Sequence, residues 1–393
     1  DGTAALAVVA PIWNIIYSLG LLMGIGGSVI FSTLRGQTER KGKVENEYFT
    51  TAVIGAAVLS VIAWLAILFF EKPILLFFGA DINLLSLAQT YLEPIKVVVP
   101  FFLFNQMLAA FLRNDGNPGL ATAGVLAGGL FNVFGDYIFV FTFDMGIYGA
   151  GLATAIGSGI SFFVMLSHFW SKKNTLAFQK PARIFSKLKE ISVTGFSTFF
   201  IDVAMGILTV LFNRQIMKYL GTSALAIYGP IVNVSTFVQC CAYSVGQASQ
   251  PIISINFGAR YGQRIKDVLR YALYTVAVFS VFWTALSLIC PNLYIYIFMK
   301  PTTEILEMAP AIIRCYGLSF ILLPLMKPKA AFIVSVARGF IISGILIMVL
   351  PAVAGADSIW LAMPVTELAV AVYAAHTIVK YTKKLSFEKG QRL

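Results

Sequence analysis

An all-α membrane protein built from two six-helix lobes is the fold class this sequence predicts, on three observations. The 393 residues are 58% hydrophobic and only 12% charged, and the mean hydropathy is +0.82; soluble domains are about 45–50% apolar. Apolar runs of about 20 residues recur along the chain, each long enough to cross roughly 30 Å of hydrocarbon as a helix, and they lack the alternation of barrel strands. The chain also repeats itself. Gly2-Thr3-Ala4-Ala5-Leu6-Ala7, followed by Pro11-Ile12-Trp13-Asn14, returns in register as Gly221-Thr222-Ser223-Ala224-Leu225-Ala226, followed by Pro230-Ile231-Val232-Asn233.

Taken in order, spans are expected at about 4–34, 48–70, 84–112, 119–141, 146–170, 191–219, 222–257, 268–291, 304–325, 329–351 and 358–380, or about eleven helices. Phe77-Phe78 at the end of the second run matches Ile297-Phe298, and Asn117-Pro118 between helices matches Lys327-Pro328. The segment 171–190, SKKNTLAFQKPARIFSKLKE, is the longest polar stretch. The expected organisation is therefore an N-terminal lobe (1–170), an inter-lobe loop (171–190), a C-terminal lobe (191–380) and a tail (381–393). Duplicated helical lobes are typical of secondary transporters, which bind substrate at the repeat interface.

Superposing the repeats exposes two gaps. The second half has a helix, 191–219, before its Gly-Thr signature, whereas the first half opens on the signature. Near Leu325-Met326 the second half is about ten residues shorter than the stretch 100–118 requires. The sequence is accordingly expected to lack a first helix and a short stretch at 325/326, with twelve helices in the intact chain.

The net charge of +11 is spread over short clusters between apolar runs, with no basic stripe interleaved with aromatics, so nucleic acid is not an expected partner. Arg35, Arg40, Lys41 and Lys43 form one cluster, and Lys172, Lys173, Lys180, Arg183, Lys187 and Lys189 another. Arg260, Arg264 and Lys266 form a third, and Lys380, Lys383, Lys384, Lys389 and Arg392 the tail. The positive-inside rule then assigns loops 35–47, 171–190 and 258–267 and the C-terminus to the cytoplasm. The expected surroundings are the lipid bilayer of a cell membrane, with the protein a monomer. No cleavable signal peptide is read at Asp1-Gly2. Cys240, Cys241, Cys290 and Cys315 have no metal-ligand spacing and are read as packing residues.

The residues that could carry chemistry are few. Asp136 stands in an apolar run, where a charge costs on the order of 2.5–3.5 kcal/mol on insertion scales and usually faces a cavity or a partner. Asn132 lies four residues earlier, so the two share a helical face and could share one proton or Na⁺. Two readings stand at this point: an ion or proton site, or a structural carboxylate bonded to neighbouring helices and Tyr137. The aligned second-half positions, Ile342 and Leu346, are apolar. Asp202 is a second intramembrane carboxylate, again either functional or structural. Asn14 and Asn233 follow equivalent prolines and either face the lobe interface or cap a bend. Gln239, Gln247 and Gln250 share a face of one helix and could line a cavity or bond between helices. Glu367 follows Pro364 in the last helix, where a freed carbonyl suits a kink; structural, gating and substrate-contact roles are all open. Arg338 either snorkels or pairs with Glu367. His168 and His376 form no metal pair, and no phosphate-cradling loop precedes a Lys-Ser or Lys-Thr. No enzyme, no cofactor beyond H⁺ or Na⁺ and no metal centre other than Na⁺ at Asp136 and Asn132 is expected.

Five fragments in order resemble the multidrug and toxic compound extrusion (MATE) family, in its bacterial branch of DNA-damage-inducible and staphylococcal-type pumps. They are Gly-Thr-x-Ala-Leu-Ala before Pro11 and Pro230; Phe111-Leu112-Arg113-Asn114-Asp115-Gly116-Asn117-Pro118; Asn132-x-x-x-Asp136-Tyr137-Ile138-Phe139; Gly146-x-x-Gly149-Ala150-Gly151-x-Ala153-Thr154; and Gln250-Pro251-Ile252 through Asn256-Phe257-Gly258-Ala259. The resemblance implies a twelve-helix antiporter exporting organic, commonly cationic, compounds in exchange for H⁺ or Na⁺. It implies a coupling role for Asp136 with Asn132, completed by an aspartate on a first helix that this sequence lacks. For Asp202 the carry-over is offset, since the glutamate of some branches aligns near Met205. Asn14, Asn233, Gln239, Gln247, Gln250, Tyr137 and Glu367 are the candidate substrate contacts. A lipid-linked oligosaccharide flippase of the same superfamily is the alternative, but its pyrophosphate calls for several intramembrane cations, and Lys96, Arg214, Arg270, Arg314 and Arg338 are scattered near helix ends.

Overall fold

The computed structural model describes residues 2–37, 43–78, 82–298, 300–320 and 341–386, and among these it is helical almost throughout, with no strand. In order, the helices are α1 (Gly2–Gly36), α2 (Val44–Phe77), α3 (Ile82–Ile95), α4 (Val99–Asn114), α5 (Pro118–Asp136), α6 (Gly146–Leu166), α7 (Ile184–Tyr219), α8 (Gly221–Gly258), α9 (Gly262–Ile289), α10 (Pro291–Phe298), α11 (Thr303–Gly317), α12 (Ser343–Val353) and α13 (Ala362–Ser386). Seven are long and apolar enough to span a membrane, or up to eight if the bent pair α3/α4 is one span. The expected shortening at 325/326, Lys327-Pro328 and Arg338 lie outside the described residues, as do 387–393 of the tail.

The chain forms two compact units, residues 1–203 and 204–393. The first packs around Phe31, Phe49, Met107, Phe111, Leu112 and Met165, all essentially inaccessible. The second packs around Phe212, Ile216, Tyr228, Tyr316, Ile347 and Trp360. Each unit holds one copy of the repeated signature at the start of its longest helix: α1 carries Pro11 inside it and α8 carries Pro230.

Two expected spans are interrupted. The run 84–112 is not one helix; α3 and α4 meet at a 61° bend. Pro94 in α3 supplies no backbone N–H, and Pro100 opens α4, where its fixed φ suits the first turn. The Lys96 carbonyl at the break is taken by Trp64 Nε1 at 2.6 Å, and Lys96 Nζ pairs with Glu71 at 2.9 Å, so the bend leaves neither group unmet. The run 119–141 changes character at its most polar point. α5 ends at Asp136, and the chain winds on as a π-helix from Tyr137 to Thr142, a wider turn that is rare and frequent at functional sites. Elsewhere α7 starts at Ile184, ahead of the expected 191, and within the expected run 304–325 the helix α11 ends at Gly317. The cysteines are also less enclosed than expected: Cys240 and Cys290 are exposed and Cys241 and Cys315 half-buried. An apolar run fixes the helix but not which of its side chains meet a neighbour, which is why apolar context misleads here.

The first half of α7 belongs to the first unit because glycine permits it. A Cβ on Gly26 of α1 would collide with the Ile191 carbonyl, and one on Gly195 of α7 with the Leu22 carbonyl. Backbones this close need small residues, the usual device of packed membrane helices. Gly195→Ala is therefore expected to destabilise by about 1–3 kcal/mol, the cost of overpacking against backbone that cannot yield. The check is the thermal midpoint of detergent-purified protein, with Gly206→Ala, where a Cβ meets nothing within 4 Å, as the unshifted control.

Candidate ion site and a second polar centre

The stretch around Asp136 is assembled by a seam of small residues between α5 and α6. A Cβ on Gly128 would strike the Gly157 carbonyl and Ser161; one on Gly135 would lie 3.0 Å from Ala153 Cβ. Gly151 likewise lets α6 approach the Tyr91 carbonyl of α3. These contacts bring three helices to one point. Asn132 Nδ2 on α5 donates to Thr154 Oγ1 on α6 at 3.0 Å, and Thr154 donates its own hydroxyl to the Ala150 carbonyl at 3.0 Å. With that proton committed, the Tyr91 hydroxyl, 3.3 Å from Thr154 Oγ1, is the donor of their shared bond.

Asp136 sits one turn beyond Asn132, within electrostatic reach of Tyr91. Its Oδ1 is buried and meets no hydrogen-bond donor among the described residues. A buried oxygen of this kind costs on the order of 1–3 kcal/mol unless something completes it. A proton or a small hard cation does so, and oxygen donors from Asp136 and Asn132 are the type such cations take. No cluster of three His, Cys, Asp or Glu that could hold a transition metal exists among the described residues. Thus Asn132 and Asp136 share a face as their spacing predicts. Sequence reasoning missed Thr154 and Tyr91: Thr154 closes the small-residue motif that begins at Gly146, whereas nothing local marks Tyr91.

The remaining predicted residues are dispersed. Asp202 lies in the first unit, where Ser18 Oγ donates to its Oδ2 at 3.2 Å while also reaching the Asn14 carbonyl at 2.6 Å; its place in the chain had assigned it to the second lobe. Asn14 and Asn233 are both exposed at their equivalent positions, Tyr137 is 66% exposed, and Gln239, Gln247 and Gln250 are half-buried along α8. Gln250 Nε2 donates to Ser254 at 3.0 Å. Glu367 is buried in α13.

A second polar centre lies where the helix ends of the first unit meet, and the sequence did not announce it. Asp115, just past α4, is fully buried; its Oδ1 takes Arg35 Nη1 at 2.6 Å and its Oδ2 takes His168 Nε2 at 2.7 Å. Thr175 adds its backbone N–H at 2.9 Å and its hydroxyl. Burial pushes the Asp115 carboxyl up, but the donors Thr175, His168 and Arg35 together outweigh it and hold it below the usual carboxylate range. Asn117 Nδ2 lies 3.1 Å from His168 Nδ1, on the side of the ring opposite Asp115.

Asp115 is the first of four anchors for the polar segment after α6. Beyond Thr175, alternate backbone N–H groups turn inward at Ala177, to Asn46 Oδ1 at 3.0 Å, and Gln179, to Thr50 Oγ1 at 2.9 Å; three residues on, outside that alternation, Ala182 donates to Glu47 Oε2 at 2.8 Å. The period of two is that of an extended chain. Lys187 pairs with Glu47, and Tyr48 donates to Glu190. The segment is therefore a strap laid along α2, with its backbone donors satisfied by side chains of the first unit.

Comparisons with known proteins agree with this architecture. The family profile described as MatE matches residues 1–138 and 196–354. The chain is 24% identical over 405 residues to a multidrug export protein, MepA, of Staphylococcus saprophyticus, covering 99% of this chain and 88% of the relative. It is 25% identical over 358 residues to MepA of Staphylococcus aureus strain NCTC 8325, covering 87% and 78%. Among solved structures, an outward-facing multidrug resistance MATE family transporter superposes with a TM-score of 0.86 at 17% identity, over 97% of this chain and 88% of that one. A MATE multidrug transporter, DinF-BH, gives 0.84 at 25% identity, over 96% and 87%.

Proposed function

Because the chain belongs to the MatE family, we propose that it is a multidrug exporter that expels organic, cationic compounds in exchange for H⁺ or Na⁺ by alternating access. The reading rests on Asp136: a buried carboxylate oxygen with no donor among the described residues, in a membrane-spanning helix, beside Asn132, Thr154 and Tyr91. The MepA relatives are multidrug exporters by name, which supports the substrate class. Coupling requires that the ion and the substrate each bind the two states of the transporter unequally. Loading Asp136 neutralises the one carboxylate at this point and thereby favours the arrangement in which the helices close around it; substrate favours the other. Exposed Asn14 and Asn233, half-buried Gln239, Gln247 and Gln250, together with Tyr137 and Glu367, are the polar and aromatic groups proposed to meet substrate, with Asp202 a second coupling carboxylate. The basic loops 35–47, 171–190 and 258–267 face the cytoplasm in this reading.

The test is efflux of a fluorescent organic cation from vesicles holding the purified protein, with pH and Na⁺ gradients imposed separately. Collapse of one gradient should stop efflux and so name the ion; efflux indifferent to both refutes antiport. In the same assay Thr154→Val, which keeps shape but removes the acceptor for Asn132 and Tyr91, is expected to weaken the apparent affinity for the coupling ion by about fivefold, the worth of one hydrogen bond of ~1 kcal/mol.

A further inference from the structure

The strap binds anionic phospholipid: we infer that its outward side chains hold acidic lipid headgroups of the leaflet at this end of the helices. With the backbone donors of Thr175, Ala177, Gln179 and Ala182 turned inward onto Asp115, Asn46, Thr50 and Glu47, the outside that remains is cationic and aromatic. Lys172, Lys173, Lys180, Arg183 and Lys189 are exposed. None of them makes an ion pair among the described residues. The acidic groups nearby are already engaged: Asp115 by Arg35 and His168, Glu47 by Lys187, and Glu190 by Tyr48. Among the described residues, no ion pair offsets these five charges.

Three large aromatics accompany these cations. Trp170 is 83% exposed, Phe185 84% and Phe178 66%, the last tilted against Phe49 at 5.4 Å between ring centroids. Leaving such rings in water forgoes about 1.5–3 kcal/mol each, whereas amphipathic and aromatic rings are favoured at the boundary between headgroups and acyl chains. Phe185 and Lys189 are one turn apart on α7 and so share a face. Trp170 ends the helical turn after α6 and is followed two and three positions on by Lys172 and Lys173. Rings for the acyl boundary and cations for phosphate thus alternate along one held segment. Because the strap is anchored at four points, the cations are presented without the ordering cost of a flexible loop.

The experiment compares lipid retention in phosphatidylcholine nanodiscs with and without phosphatidylglycerol, titrating a fluorescent phosphatidylglycerol and reading energy transfer from the protein's tryptophans. Wild-type protein should take up phosphatidylglycerol in preference to phosphatidylcholine. Replacing Lys172, Lys173, Lys180, Arg183 and Lys189 by Gln should lower that affinity by about fivefold for each cation removed, as expected for basic residues beside an acidic leaflet. The control, Arg260→Gln with Arg264→Gln, removes exposed cations from another basic loop and should leave most of the preference. Equal preference in the wild type and the variant with all five replaced, or an equal loss per cation in the control, overturns the inference. All substituted side chains are exposed, so folding is preserved; an unshifted thermal midpoint verifies it.

Discussion

Asp136→Asn is expected to leave folded protein in the membrane and to abolish ion-coupled export. The amide nearly matches the carboxylate in shape, so the glycine seam between α5 and α6, set by Gly128, Gly135 and Gly157, is untouched. The variant loses the one carboxylate found at this point among the described residues. An amide neither takes up a proton nor offers a full negative charge to Na⁺, so the ion no longer distinguishes two states. Allosteric coupling of this kind is typically 1–3 kcal/mol, a factor of about 5–150, and all of it is lost, so an imposed gradient no longer drives efflux. Substrate binding at equilibrium should survive, because the substitution leaves every proposed substrate contact in place. Asn132→Ala should fall in between, as it removes a neutral partner and leaves the charge. Full drug resistance in cells carrying Asp136→Asn, at equal protein level, would exclude the assignment.

The second large effect concerns stability. Asp115→Asn puts an amide where Arg35, His168 and two donors of Thr175 converge, so one of its two heads presents N–H groups to donors. Arg35 is partly exposed, at 29% of its side chain, so loss of its buried partner costs about 1–3 kcal/mol, less than for a pair in which both charges are buried. The thermal midpoint in detergent should fall accordingly, and trypsin should cut faster after Lys172, Lys173 and Arg183 as the strap comes away. An unchanged midpoint and unchanged proteolysis would mean that the other anchors suffice. The pH dependence has a definite sign. The folded carboxyl titrates below its unfolded value of about 3.9. Its contribution is therefore complete above that value and is lost as pH falls through the lower, folded one. Acid should release the strap in wild-type protein below about pH 4, and that step should be missing in Asp115→Asn.

Asp115 also shows where sequence reading ends. It lies inside the 111–118 motif, yet its partners stand 80, 53 and 60 residues away at Arg35, His168 and Thr175. Nothing in local periodicity reports such a distance. His168 reads as an isolated residue at a helix end and is fully buried. The segment 171–190 reads as a polar loop between lobes, since Lys, Asn, Gln and Pro dominate it. Its backbone hydrogen bonds, which composition does not record, tie it instead to the first unit.

The sequence by itself determined everything that depends on the solvent and on near neighbours. Apolar runs of spanning length had to become helices, because lipid offers no partner for backbone groups. The repeated Gly-Thr and Pro positions set two equivalent long helices, and the four-residue spacing of Asn132 and Asp136 put them on one face. Tertiary structure alone decided which groups complete that face. Thr154 and Tyr91 arrive from α6 and α3 because glycines let three backbones close to contact distance, and the same closeness leaves one carboxylate oxygen of Asp136 without a donor. Such contacts depend on how helices cross, a matter of packing between residues far apart in the chain.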